Sequence, residues 1–150
     1  QIKPHGVSMG AATGLMASGE ELPENVKVII ADCGYTSEWD EFKCEANALH
    51  IPWFPVLNAA SVMSRLRDGY DFKQASALEK VKQSRIPTLF IHGSDDELVP
   101  YSMLDKLYSA AACEKECLTV NGAGHALSSS VEPELYWNTV ESFIEKYSAK

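Results

Sequence analysis

Little in this sequence is basic, little of it is cysteine, and none of it is continuously apolar for long. Lys and Arg number 13 against 21 Asp and Glu, a formal charge of −8. The clustered cations that a phosphate backbone needs are therefore missing, which argues against nucleic acid as the main partner. No apolar run approaches the ~20 residues that span a bilayer. The four cysteines, Cys33, Cys44, Cys113 and Cys117, include no CxxC pair. That excludes a disulfide scaffold and leaves no spacing for a structural zinc; free thiols suit a reducing, cytoplasmic compartment. No metal or cofactor is implied. Repeats, low-complexity tracts and linkers are absent too. What remains is 150 residues, 45% of them hydrophobic, the size and composition of one domain with one core.

Short apolar runs alternate with helical patterns. The runs Val26–Ala31, Thr88–Ile91 and Glu116–Val120 are rich in β-branched residues and end at Gly, Asp or Asn, as buried parallel strands do. Between and after them lie amphipathic stretches. Met103, Leu104, Leu107 and Ala111 share a helical face behind Pro100, and Tyr136, Val140, Phe143, Ile144 and Tyr147 share another behind Pro133. The alternation predicts an α/β domain: a parallel sheet of about four strands with helices on both faces.

Residues 37–85 are the irregular part. Ser37 is placed to cap a helix carrying Trp39, Phe42, Ala46 and Leu49, and a second helix is expected from Pro55 to the Asp68-Gly69 break. Some 50 residues exceed what a crossover helix needs. They are either two packed helices or a helical lid over a pocket, with Trp53 and Phe54 at its rim and Met63 in its lining. The acids Glu38, Asp40 and Glu41 are most simply first-turn charges complementing a helix dipole.

The chemistry sits at the front. Gly6-Val7-Ser8-Met9-Gly10 is a GxSxG pattern followed by the small residues Ala11, Ala12 and Gly14. A nucleophilic serine on a sharp strand-to-helix turn needs glycines two residues either side to avoid clashes, and the helix that follows aims N–H groups at a reacting carbonyl oxygen. Chance would produce such a pattern in a chain of this length about once in 20, so the motif alone decides nothing. A serine of this kind needs an acid and then a base further along, each on a loop after a strand. Asp95 and Asp96 follow the run at Thr88 in Ile91-His92-Gly93-Ser94-Asp95-Asp96-Glu97-Leu98-Val99-Pro100. His125 follows the run ending at Val120 in Gly122-Ala123-Gly124-His125.

Together, Gly-Val-Ser-Met-Gly-Ala-Ala, Ile-His-Gly-x-x-Asp-x-x-Val-Pro and Gly-x-Gly-His resemble the C-terminal half of an α/β-hydrolase, closest to small bacterial esterase-like and prolyl-oligopeptidase-like members. Ala31-Asp32-Cys33-Gly34-Tyr35-Thr36-Ser37 fits that group as well, so the likeness covers nearly the whole chain. It implies a serine hydrolase of ester, amide or thioester bonds in a small-molecule or peptide substrate. Ser8 would be the nucleophile, His125 the base, Asp96 the acid, and the Met9 amide an oxyanion donor. Asp32 is the runner-up acid by analogy. Asp95 reads as a loop residue bonding backbone amides of the turn, and His92 as a packing residue. His5 and His50 have no evident partner. Tyr35, on a loop near the expected pocket, is a substrate contact or a packed aromatic, and Trp53 and Phe54 are weaker candidates for contact.

The resemblance also implies something missing. In such hydrolases a run of strands and helices precedes the serine turn and supplies a second oxyanion amide; here only Gln1 to His5 precede it, with no charged-then-apolar leader. The expectation is a domain lacking its N-terminal half and impaired as an enzyme, or else a catalytically silent half-domain. A bare flank near Ile2, with an uncovered apolar helix side at Leu15 and Met16, would then favour a homodimer or larger oligomer.

Overall fold

The computed structural model describes residues 1–148. Four strands, β1 (His5–Val7), β2 (Ile29–Asp32), β3 (Thr88–Gly93) and β4 (Lys115–Val120), pair in parallel in the order β1-β2-β3-β4. Their register sets Val7 beside Asp32, Asp32 beside Ile91 and Gly93 beside Val120. The C-terminal ends therefore come out along one rim, where open α/β sheets carry their sites.

Side-chain alternation along the strands divides the core in two. Ile29, Ala31 and Phe90 point to one face, covered by α1 (Met9–Ala17), α4 (Ala77–Val81) and α5 (Tyr101–Ala110) through Ala11, Leu15, Val81, Leu104 and Leu107. Ile30, Leu89, Ile91, Leu118 and Val120 point to the other, covered by α7 (Pro133–Ser148) through Tyr136, Val140, Phe143 and Tyr147. The expected two-faced α/β architecture is present. Each buried Leu or Phe here contributes about 1.5–3 kcal/mol of transfer free energy.

Several local expectations change. The first run pairs regularly only over Ile29–Asp32, while Val26 makes an isolated bridge to Ile2. Leu15 does not lie on an uncovered helix side: it is fully buried under the sheet, and Met16 packs partly buried on the same cluster. Small residues on α1 bring that helix close enough to bury them. The helix α4 also belongs to this core rather than to a lid.

Above the rim, α2 (Glu38–Ala48) starts where expected. Ser37 Oγ accepts the Asp40 amide at 3.1 Å. The helix α3 (Trp53–Asp68) includes a non-helical Phe54 (φ −98°, ψ 132°), so its continuous part does begin at Pro55, and it closes at Gly69 with φ 83°. A short α6 (Ser128–Val131) precedes α7.

Candidate active site

Ser8 sits between β1 and α1 with φ 54° and ψ −114°, a backbone conformation that costs a non-glycine residue about 1–3 kcal/mol. Two bonds hold it there: its amide donates to the Asp32 carbonyl at 2.8 Å, and its carbonyl accepts the Ala12 amide at 3.0 Å. The two flanking glycines are not equivalent. A Cβ at Gly6 would lie 2.3 Å from the Gly10 carbonyl carbon and 2.5 Å from the Ala11 nitrogen, whereas a Cβ at Gly10 meets nothing within 4 Å. Only Gly6 is required by the turn.

The rim brings the three separated residues together. His125 Nε2 lies 2.9 Å from Ser8 Oγ, and His125 Nδ1 lies 2.9 Å from Asp96 Oδ2. A carboxylate only accepts, so Nδ1 carries the proton and Nε2 is left to accept from the serine hydroxyl. Asp96 is buried at the end of its loop, and its Oδ1 accepts the Leu98 and Val99 amides at 3.0 and 2.9 Å. Amide binding therefore falls to Asp96 and not to Asp95, whose side chain accepts the Ser94 hydroxyl instead. Burial alone would push the Asp96 carboxyl up; bonds from His92, His125 and the Val99 amide outweigh it and hold the group below the usual range.

His92 is fully buried beside this acid. Its Nε2 donates to the Val99 carbonyl at 2.9 Å and lies 3.4 Å from Asp96 Oδ2. It braces the loop, as its packing role leads one to expect.

Asp32 belongs to a different network. Its carboxylate accepts from Ser128 Oγ at 3.2 Å and from the Tyr136 hydroxyl at 3.1 Å, and that hydroxyl in turn accepts from His5 Nε2 at 2.8 Å. Those contacts tie β1 and β2 to α7 and give His5 a partner. Burial raises the Asp32 carboxyl despite the two hydroxyls. Asp32 is not the acid that faces His125. Cys33, next in the chain, is also no rival nucleophile: burial and then the Asp32 charge push its thiol up to about 12, leaving it neutral.

A pocket of about 170 Å³ opens beside Ser8 and Met9, walled by Tyr35, Phe42 and Leu98 and by three acids of α2, Glu38, Glu41 and Glu45. Tyr35 is thus at the site. Trp53 is not: it lines an adjoining apolar cleft of about 350 Å³ with Leu49, Ile51 and Val56, and this cleft meets the Ser8 pocket at Phe42 and Glu45. Phe54 lines neither, because its extended backbone turns the ring out to 66% exposure, edge-on to Trp53; Met63 is likewise exposed. As first-turn charges Glu38 and Glu41 gave no sign of this wall, and Glu45 carried no expectation; all three acids line the pocket. They recur at i, i+3 and i+7, a single helix face, and that spacing was the available signal.

Burial, then the charges of Glu45 and Asp96, push the Glu41 carboxyl up to about 7. A carboxyl whose folded pKa exceeds its unfolded value binds more protons when folded, so its contribution to stability falls as pH rises from about 4.5 to about 7. Glu41→Gln removes that loss. Relative to the parent, the variant is expected to gain on the order of 1–2 kcal/mol between pH 5 and pH 8, read from thermal unfolding at the two pH values.

A strained serine at a strand-to-helix turn, with a histidine and a buried aspartate on later loops of the same rim, defines an α/β-hydrolase. The profile of the prolyl oligopeptidase family matches residues 1–150, and the chain belongs to that family. It is 30% identical over 142 residues to the uncharacterized protein YqkD of Bacillus subtilis, covering 94% of this chain and 47% of that one. It is also 30% identical over 106 residues to human alpha/beta hydrolase domain-containing protein 17C, covering 69% of this chain and 32% of that one. The chain thus spans half or less of the length of these relatives. Among solved structures it resembles the esterase Pf2001 of Pyrococcus furiosus (TM-score 0.72, 18% identity, 98% of this chain and 54% of that one). It also resembles an acylaminoacyl peptidase of Pyrococcus horikoshii (TM-score 0.67, 16% identity, 98% and 24%). At such identities these two likenesses speak to the fold.

Proposed function

We propose that the chain is a serine hydrolase acting on carboxylic ester, amide or thioester bonds of a small-molecule or peptide substrate. The observation that carries the reading is the relay from Asp96 Oδ2 through His125 to Ser8 Oγ, with both links at 2.9 Å. Ser8 Oγ attacks the carbonyl carbon as its proton passes to His125 Nε2. The Met9 amide, at the free N-terminus of α1, donates to the developing oxyanion. Collapse expels the leaving group, which takes the proton from His125, and leaves Ser8 acylated. Water, deprotonated by the same nitrogen, then releases the acid. Asp96 holds the imidazole in the required tautomer throughout. The helices α2 and α3 act as a lid whose apolar cleft extends the pocket.

Release of p-nitrophenol from p-nitrophenyl acetate tests this. A burst approaching one equivalent per chain, followed by turnover, is expected; no release above the buffer rate overturns the reading. A second reading keeps the triad but gives it full rate only with a second oxyanion donor beside the Met9 amide, one such donor being worth ~10²–10³ in kcat. A burst with slow turnover would support that reading.

We further propose self-association at the β1 edge. Among the described residues β1 pairs only with β2, and Ile2, Val7 and Met9 stand exposed beside it. Strand edges of this kind invite pairing. Sedimentation at micromolar concentration is expected to give a species larger than 16.5 kDa; a single monomer at that mass would contradict the proposal.

A further inference from the structure

The pocket at Ser8 is acidic to a degree that triad chemistry does not explain. Of its eight lining residues three are glutamates, and none is Lys, Arg or His. Glu41 is only 6% exposed and its Oε2 has no hydrogen-bond partner; Glu38 Oε2 is also buried without one. A buried carboxyl oxygen left bare carries its full desolvation cost, so such a group either stays protonated or awaits a cation.

Among the described residues no cation acts on Glu41. The neighbouring ammonium groups of Lys43 and Lys73 lie over the rings of Trp53 and Trp39, at 4.7 and 4.4 Å from their centroids. A metal ion does not suit the site either. Among the described residues the one trio of ligand atoms within 4.8 Å of one another is Cys33, Asp96 and His125, so the three glutamates stand too far apart to share an ion. An organic ammonium group suits it better: one carboxylate can accept its N–H while the others add charge without converging on a single atom, and the aromatic side chains of Tyr35 and Phe42 share the same wall.

We infer that the pocket beside Ser8 selects substrates that carry an ammonium group close to the scissile carbonyl, with Glu41 as its principal partner and Glu45 and Glu38 completing the acidic wall. The inference rests on the hydrolase reading and specifies its substrate class. Burial, followed by the Glu45 and Asp96 charges, raises the Glu41 carboxyl to about 7, and a bound cation relieves that penalty by favouring the carboxylate. The pocket volume of about 170 Å³, against the roughly 30 Å³ that one water occupies, admits a group of about half a dozen heavy atoms. A short amino-acyl chain is of that size.

Two matched esters read the selectivity: p-nitrophenyl β-alaninate and p-nitrophenyl butyrate, which differ by NH₃⁺ in place of CH₃. At pH 8, with spontaneous hydrolysis subtracted, the parent is expected to favour the β-alaninate in kcat/KM by about tenfold or more. In Glu41→Gln that ratio should collapse towards one. Because the ratio is taken within each protein, a general loss of activity cancels. If Glu41→Gln does not fold, Glu45→Gln is expected to lower the ratio partially. A parent ratio of one or less, or a ratio unmoved by the Glu41 and Glu45 variants, overturns the inference. In that case Glu41 acts as a neutral carboxyl donor.

Binding separates this failure from failure of the hydrolase reading. In Ser8→Ala, where no chemistry intervenes, n-propylammonium chloride should give saturable NMR shifts at the Tyr35 and Glu41 amides. Adding Glu41→Gln should weaken that binding by about tenfold. Saturable binding with no hydrolysis of either ester would leave the cation site standing and sink the hydrolase. Hydrolysis of butyrate with no ammonium binding would do the reverse.

Discussion

Asp96→Asn is expected to lower kcat by about 10⁴-fold while the protein stays folded. The asparagine can keep one oxygen on the Leu98 and Val99 amides, which now bind Asp96 Oδ1 at 3.0 and 2.9 Å, so the loop retains its shape. What changes is the atom facing His125 Nδ1, now 2.9 Å from a carboxylate oxygen. An NH₂ group there cannot accept the Nδ1 proton. The imidazole therefore turns to the tautomer that has no lone pair for Ser8, and the imidazolium formed during attack loses its counter-charge. Asp32→Asn should behave differently. Asp32 contacts Ser128 and Tyr136 and not His125, so most of the activity should survive even if some stability is lost. Steady-state kinetics on one activated ester compares the two. The opposite ranking would reassign the acid.

The second large effect is structural and separates two residues that look alike in the motif. Gly6→Ala forces a Cβ to 2.3 Å from the Gly10 carbonyl. The obstruction is backbone, so relief requires the β1–α1 turn itself to move. The expected cost is roughly 3 kcal/mol or more, a drop in Tm of about 10 °C or greater, together with loss of activity as Ser8 shifts. Gly10→Ala meets no atom within 4 Å and replaces a poor helix former inside α1, so it should be neutral or stabilising by up to ~1 kcal/mol. Thermal unfolding of both variants decides the point. An intolerant Gly10 would mean that another part of the protein packs on that position.

The strands and the order of serine, acid and base were legible because each depends on a local pattern: a β-branched run, then a loop bearing one particular residue. Packing of the first helix was less so. Leu15 and Met16 were expected to be bare, but α4 packs on α1 from later in the chain. Such a contact leaves no trace in local periodicity. The acidic wall was hidden for another reason. Glu38 and Glu41 in a first turn already satisfy a helix-dipole argument, and whether they face water or a pocket depends on how α2 is rotated over the rim. Phe54 shows the converse case. An aromatic beside a proline looked like a pocket residue, yet one extended backbone step sends its ring to solvent.

Reaction with a fluorophosphonate, followed by peptide mapping, tests the central claim most directly, because the reagent phosphonylates a serine only when a base has activated it. The account predicts one adduct per chain, located on Ser8, absent in Ser8→Ala and strongly slowed in His125→Ala and Asp96→Asn. No adduct at Ser8, or equal labelling of the Ser8→Ala variant at another serine, would contradict it.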